Sequence, residues 1–222
     1  MATKTKKKDP ESQDNNISGK ITAAYIDYIL TKGRKPVSVY EFVSKLKIEE
    51  QEFYNLFNSF EGLEKNIWAG FVQTTLDTLS ASEEYNSYPV KEKLLTFYYT
   101  LVEVLKKNRS YILVSSEHGV EMLRNNILSK TREVFMEYVT QLMAEGAESG
   151  EVVKRPYITD KYPEGLWLQL LFVLRFWIKD DSRGFEKTDA AIEKALKLSF
   201  DLIGPGAVDS LVDMAKFLYQ NK

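Results

Sequence analysis

Apolar residues recur at helical spacing along nearly the whole chain. Ile21, Ala24, Tyr25, Tyr28 and Ile29 fall at i, i+3, i+4, i+7 and i+8, the set that lines one face of an α-helix. The helix predicted there stops at Thr31-Lys32-Gly33, because glycine takes the left-handed conformation that ends helices. Ser38-Val39-Tyr40-Glu41 then fits a capping box, with the serine oxygen accepting from an early amide and Glu41 reaching back. A short second helix through Leu46 follows, turned inward by Phe42, Val43 and Leu46. After Lys47-Ile48, a third short helix carries Phe53, Tyr54, Leu56 and Phe57. Asn58-Ser59 breaks it before a long helix marked by Leu63, Ile67, Phe71 and Leu79.

The same period continues beyond Tyr88-Pro89, with Leu94, Tyr98, Leu101, Val102 and Leu105 on one stripe and an interruption at Asn108-Arg109-Ser110. A long helix is predicted from about Gly119 to Ala147, closed by Gly146 and Gly150. Pro163 opens an apolar helix that runs to Ile178, and Asp180-Asp181-Ser182-Arg183-Gly184 ends it. Thr188, Ile192, Ala195, Leu196 and Ile203 mark the next helix, which Gly204-Pro205-Gly206 stops. Val208, Leu211, Val212, Ala215 and Leu218 mark a last one. No window alternates with a period of two between turn signals, so the expected class is all-α, with about nine or ten helices. The pattern divides the chain into a polar arm over 1–16, read as disordered, a three-helix unit over 17–64 and a larger helical domain over 65–222.

Composition narrows what such a bundle can do. With 222 residues, 44% hydrophobic and 28% charged, the chain can bury a real core. It has no cysteine, which excludes disulfides and thiolate metal sites and fits a reducing, cytoplasmic setting. Residues 1–16 are lysine-rich and lack the apolar run of a secretory signal. The longest apolar stretch, Leu166 to Ile178, is 13 residues and contains Gln169 and Arg175. A bilayer needs roughly 17 to 25. The stretch reads as a buried helix. A net charge of −2 gives no global pull toward nucleic acid, so any DNA contact must be local.

No constellation suggests an enzyme. His118 is the only histidine and stands beside Glu117 and Gly119 without a nucleophile in view. Asp180-Asp181 reads more simply as a helix-terminating cap than as a catalytic pair. No phosphate loop or metal-ligand spacing is present, so neither cofactor nor metal is expected.

Gly33, Ser38, Phe42, Val43, Ile48, Tyr54, Phe57 and Leu63 occur in the order and spacing of the helix-turn-helix unit of TetR-type transcriptional regulators, which this segment resembles. Trp177, Asp180, Ser182, Gly184 and Thr188 are similar to a pattern in the C-terminal domains of some members. Shifted variants of that pattern occur in related lipid-binding proteins of ubiquinone biosynthesis. The resemblance implies a DNA-reading head, a ligand-binding domain, and a homodimer joined through the last two long helices. It implies DNA contacts from Ser38, Tyr40 and Lys47 around the turn and from Gln51, Tyr54 and Asn55 on the third helix. Gln51 and Asn55 are chemically suited to pair with adenine. The walls of an apolar effector pocket are expected from Phe97, Tyr98, Phe135, Tyr138 and Trp167, with Gln169 and Arg175 as its polar groups. Arg175 would meet a ligand carboxylate, a neighbouring glutamate or the dimer mate.

Three positions depart from the family pattern. Lys47 stands where glycine is usual, Glu49 where serine caps the recognition helix, and Phe60 where a backbone-contacting lysine heads the fourth helix. Between Gly33 and Lys65, Arg34, Lys35, Lys45, Lys47 and Lys65 are outnumbered by Glu41, Glu49, Glu50, Glu52, Glu61 and Glu64. Carboxylates repel an approaching phosphate. Two functions are therefore expected: a DNA-binding regulator answering to an apolar effector, or a protein of the same fold that has lost DNA binding and carries a lipid or hydrophobic metabolite.

Overall fold

The computed structural model describes residues 10–115, 126–206, 214 and 216–220. Ten α-helices are delimited among them, and no strand. The head comprises α1 (Pro10–Lys32), α2 (Val39–Leu46) and α3 (Glu50–Phe57). The larger domain comprises α4 (Phe60–Ser80), α5 (Glu83–Asn86), α6 (Val90–Lys107), α7 (Arg109–Ser115), α8 (Ser129–Ser149), α9 (Tyr162–Lys179) and α10 (Glu186–Ile203). Helix α4 belongs to both, since it packs on α3 at its start and on α6 and α8 along its length. Helix α8 continues onto α9, α9 onto α10, and α10 back onto α6, while α7 docks against α1.

Most boundaries follow from the local chemistry that predicts them. Ser38 caps α2, its Oγ accepting the Glu41 N–H at 3.1 Å, and Gly33 closes α1 at φ 65°. Four boundaries differ from the pattern. Helix α1 begins at Pro10, inside the expected polar arm, because proline sits well in a first turn where its amide has no partner to lose. Residues 1–9 of that arm lie outside the described residues. Ser82 caps the one-turn helix α5, accepting from the Tyr85 N–H at 3.4 Å, too short an element for periodicity to reveal. The interruption at Asn108 is a single residue, after which α7 starts at once. The helix expected from Gly119 is described only from Asn126, as a 3-10 turn leading into α8. His118 lies outside the described residues, as does most of the expected last helix, of which 214 and 216–220 are helical.

Two polar devices fix the C-terminal half. Arg155 is buried, and its guanidinium donates to the carbonyls of Leu202 and Gly204 at 2.9 Å each and to the Tyr162 hydroxyl at 2.9 Å. It thereby satisfies carbonyls that the end of α10 leaves without helical partners. At the other end of α10, Asp180 accepts from the Ser182 N–H at 2.8 Å and hydroxyl at 2.6 Å, and from the Thr188 N–H at 2.8 Å and hydroxyl at 2.6 Å. Burial pushes the Asp180 carboxyl up, and these four donors more than reverse it, holding it well below the usual carboxylate range. Arg109 lies over the rings of Trp177 and Phe185, 4.6 and 4.7 Å from their centroids, and donates to the carbonyls of Trp177, Ile178 and Asp180. The Trp177 to Thr188 motif is thus a structural corner between α9 and α10.

Candidate nucleic-acid interface and effector domain

All six residues expected to meet DNA are exposed: Ser38, Tyr40, Lys47, Gln51, Tyr54 and Asn55. On α3 the i, i+3, i+4 spacing places Gln51, Tyr54 and Asn55 on one face, and Phe53 and Phe57 are buried on the other. Ile48, at the turn, is buried with them, so α2 and α3 share one apolar seam. Tyr54 is 45% exposed, so of the Tyr54 and Phe57 pair only the phenylalanine packs inward. Lys47 holds φ 57° at the end of α2, a left-handed conformation that favours glycine and accounts for the usual residue there.

Phe60 is half-buried and is committed to packing. Its ring stacks on Tyr25 at 5.5 Å and meets Phe42 at 5.7 Å and Phe53 at 5.5 Å edge-on. The position given to a backbone-reading lysine in the family pattern here joins α1, α2 and α3 through one aromatic cluster. Beside it, the Glu64 carboxylate is buried and accepts from the Tyr25 hydroxyl at 2.6 Å and the Lys35 ammonium at 2.7 Å. Burial, and then that carboxylate, push the Tyr25 phenol far up, so it stays a donor. Gly62 lies in the same first turn of α4, and a β-carbon there would stand 2.0 Å from the Phe57 carbonyl oxygen. Glycine therefore lets α3 and α4 press together.

Three of the five cations between Gly33 and Lys65 are paired internally. Lys35 pairs with Glu64 at 2.7 Å, Lys45 with Glu41 at 2.8 Å and Lys65 with Glu61 at 2.7 Å. Arg34 and Lys47 make no ion pair among the described residues, against the three acids at the start of α3, where Glu52 accepts the Glu49 N–H at 2.9 Å.

In the larger domain the seven expected pocket residues separate into two groups. Phe97, Tyr98, Phe135, Tyr138 and Trp167 do come together across α6, α8 and α9. Phe97 stacks on Tyr138 at 4.9 Å and meets Phe135 at 5.5 Å, and Phe135 meets Trp167 at 6.1 Å. The rings fill the space between them. The Tyr98 hydroxyl is buried there without a hydrogen-bond partner among the described residues. Removing it in Tyr98→Phe is expected to raise stability by about 1 kcal/mol, because an unmet hydroxyl costs more buried than solvated. Thermal unfolding would show the gain, and a loss of stability would contradict it.

Gln169 and Arg175 lie elsewhere. Gln169 accepts from the Ser199 hydroxyl between α9 and α10, and Arg175 is exposed instead of buried. The apolar run of α9 is long enough to cover both sides of the helix, so one stripe emerges: Leu168 is 65% and Phe172 48% exposed, joined by Leu198 at 61% and Leu202 at 52% on α10. Along this face run two adjoining grooves of about 680 and 410 Å3, both lined by Phe172 and Phe176.

Tyr138 reaches a further cavity of about 380 Å3, lined from α4, α5, α6 and α8. Its hydroxyl meets that of Tyr85 at 2.9 Å, and burial first of all raises both phenols. Lys93, in the same wall, is buried and in contact with Glu145. The sequence held a signal for it: Val90, Lys93, Leu94 and Phe97 fall at i, i+3, i+4 and i+7, so a lysine interrupts the inward stripe of α6. Among the described residues, no group of three or more His, Asp or Glu is placed to hold a metal ion, and no helix is long and apolar enough to cross a membrane.

Comparison with known proteins agrees with this architecture. A solved structure from Syntrophomonas wolfei, assigned to the TetR family of transcriptional regulators, superposes with a TM-score of 0.62 at 19% identity, covering 86% of this chain and 96% of that one. One from Shewanella sp. PV-4, assigned likewise, gives 0.57 at 13% identity over 85% and 98%. At these identities the likeness concerns the fold. No curated protein sequence matches the chain. Residues 93–218 match the model of the tetracyclin repressor-like C-terminal domain, which spans more than half of the chain. With that domain behind a helix-turn-helix head, the chain belongs to the TetR family.

Proposed function

We propose that this protein is a homodimeric, DNA-binding transcriptional regulator, acting in the cytoplasm, whose larger domain takes a small-molecule effector with a substantial apolar part. The observation that supports it most is the solvent face of α3, where Gln51, Tyr54 and Asn55 stand side by side on a helix held by Phe53 and Phe57 beneath. Such a helix suits the major groove, and the two carboxamides suit adenine. The exposed apolar face of α9 and α10 supports the dimer, since burying it against its copy removes Leu168, Phe172, Leu198 and Leu202 from water. An effector favouring one spacing of the two heads would then shift DNA affinity.

A second reading has its own observation. The internally paired lysines of the head and the packing role of Phe60 suit a protein that keeps the fold without the DNA, carrying a lipid or hydrophobic metabolite. One experiment separates the two. Purified protein, stripped of copurified ligand, is mixed with fragments of its own genome at low and moderate salt. Discrete fragments are expected to be enriched, with binding weakened roughly thirty-fold by Gln51→Ala or Asn55→Ala, as loss of about 2 kcal/mol per base contact implies. A folded, ligand-free dimer that enriches nothing at any salt would overturn the regulator and leave the carrier.

A further inference from the structure

We propose that the cavity between α4, α5, α6 and α8 binds a small organic cation, a protonated amine carrying an apolar body. The inference rests on reading the larger domain as an effector domain, and it replaces a purely apolar effector with an amphiphile. The cavity holds about 380 Å3, with Leu76, Leu79, Val134 and Leu142 as its apolar part. A neutral hydrocarbon would find further apolar surface in the groove along α9 and α10, so the distinguishing feature here is the charged edge.

That edge is negative once its internal pairs are taken into account. Lys93 contributes the one ammonium of the lining and is already in contact with Glu145 Oε1, while the other Glu145 oxygen makes no hydrogen bond among the described residues. Glu137 also lines the cavity and has neither hydrogen bond nor ion pair among the described residues. Glu137, Gln141 and Glu145 follow one another at four-residue spacing, so they share one face of α8. Gln73 gives its amide N–H to Asp77 at 2.8 Å, which leaves its carbonyl as a further acceptor. The joined hydroxyls of Tyr85 and Tyr138 add acceptor lone pairs at the inner side.

The three ligand charges fare differently against this lining. A carboxylate would have to displace Glu145 from Lys93 and then sit beside both glutamates. A neutral molecule would shield Glu137 from water without replacing its solvation. An ammonium breaks nothing: it meets the unpaired Glu137 and the free oxygen of Glu145 while its apolar part covers the leucines.

The test is calorimetric titration of the full-length protein at neutral pH with tryptamine and octylamine, and in parallel with indole-3-propionate and octanoate. The two amines are expected to bind once per chain and the two carboxylates not to bind. Glu137→Gln is expected to weaken amine binding at least ten-fold with the unfolding temperature of the parent protein, since Glu137 is exposed, and Tyr138→Phe to weaken it less while lowering the unfolding temperature slightly, since it keeps the ring on Phe97 but loses the hydrogen bond to Tyr85. Carboxylates binding as tightly as amines, binding by neither pair, or amine affinity unchanged in Glu137→Gln would each overturn the proposal. Amine binding by a protein that enriches no genomic fragment would uphold this site and sink the DNA-binding reading, so the two fail separately.

Discussion

Asp180→Ala is expected to destabilise the protein by about 3 kcal/mol, which for a chain of this size lowers the unfolding temperature by roughly 6 to 12 °C. The carboxylate accepts four hydrogen bonds, and two of the donors belong to Thr188, which is wholly buried. Alanine leaves a buried N–H and a buried hydroxyl unmet and removes the cap of α10. Asp180→Asn keeps one accepting oxygen and should lose about half as much. The effect is also pH-dependent, and its sign follows from the direction of the shift. The folded carboxyl titrates below its unfolded value, so its contribution is complete above the ordinary aspartate range near pH 4 and is lost as pH falls through the lower folded value. The stability difference between parent and Asp180→Asn should therefore be flat at neutral pH and shrink in acid. A difference that grows below pH 4 would contradict the corner as described.

A charge pair of the same sign on α9 and α10 is expected to abolish dimerisation. Phe172 borders both grooves of the exposed face and Leu198 lines the larger one. In a two-fold interface each substitution is met twice, so Phe172→Glu with Leu198→Glu places four carboxylates in one apolar seam. Light scattering at micromolar concentration should give the parent at twice the 25.6 kDa chain mass and the double variant at the chain mass itself. Because both side chains are about half or more exposed in the single chain, the variant should keep its helical content. A monomeric parent, or a double variant that stays dimeric, would remove the seam from the account.

The long helices, their order and the class were legible because each long element repeats its apolar residues at 3 and 4, and because Ser38, Gly33 and Pro163 punctuate as their chemistry dictates. What escaped is what periodicity does not encode. Helix α5 is one turn long, and α7 begins a single residue after the break at Asn108. Phe60 looked like a lost cation because a pattern position carries no information about which rings will surround it. Arg175 looked buried because an all-round apolar run does not say which stripe is uncovered until α10 is in place. Arg155 caps α10 from 47 residues away, a pairing that only the folded chain makes. Of the candidate site, the exposed face of α3 follows from spacing alone, whereas the edge formed by Glu137, Glu145 and Lys93 needs α6 and α8 to converge.

Helix α4 runs without a break from the head to the cavity. At one end Glu64 is tied to Tyr25 and Lys35, and Gly62 holds α3 in close contact. About 24 Å further on, at 1.5 Å per residue, Ser80 lines the cavity. The helix is a lever arm with a load at each end. A ligand that tilts it by about 5° about the Ser80 end would carry the exposed face of α3 through about 2 Å, a distance comparable to the reach of a hydrogen bond.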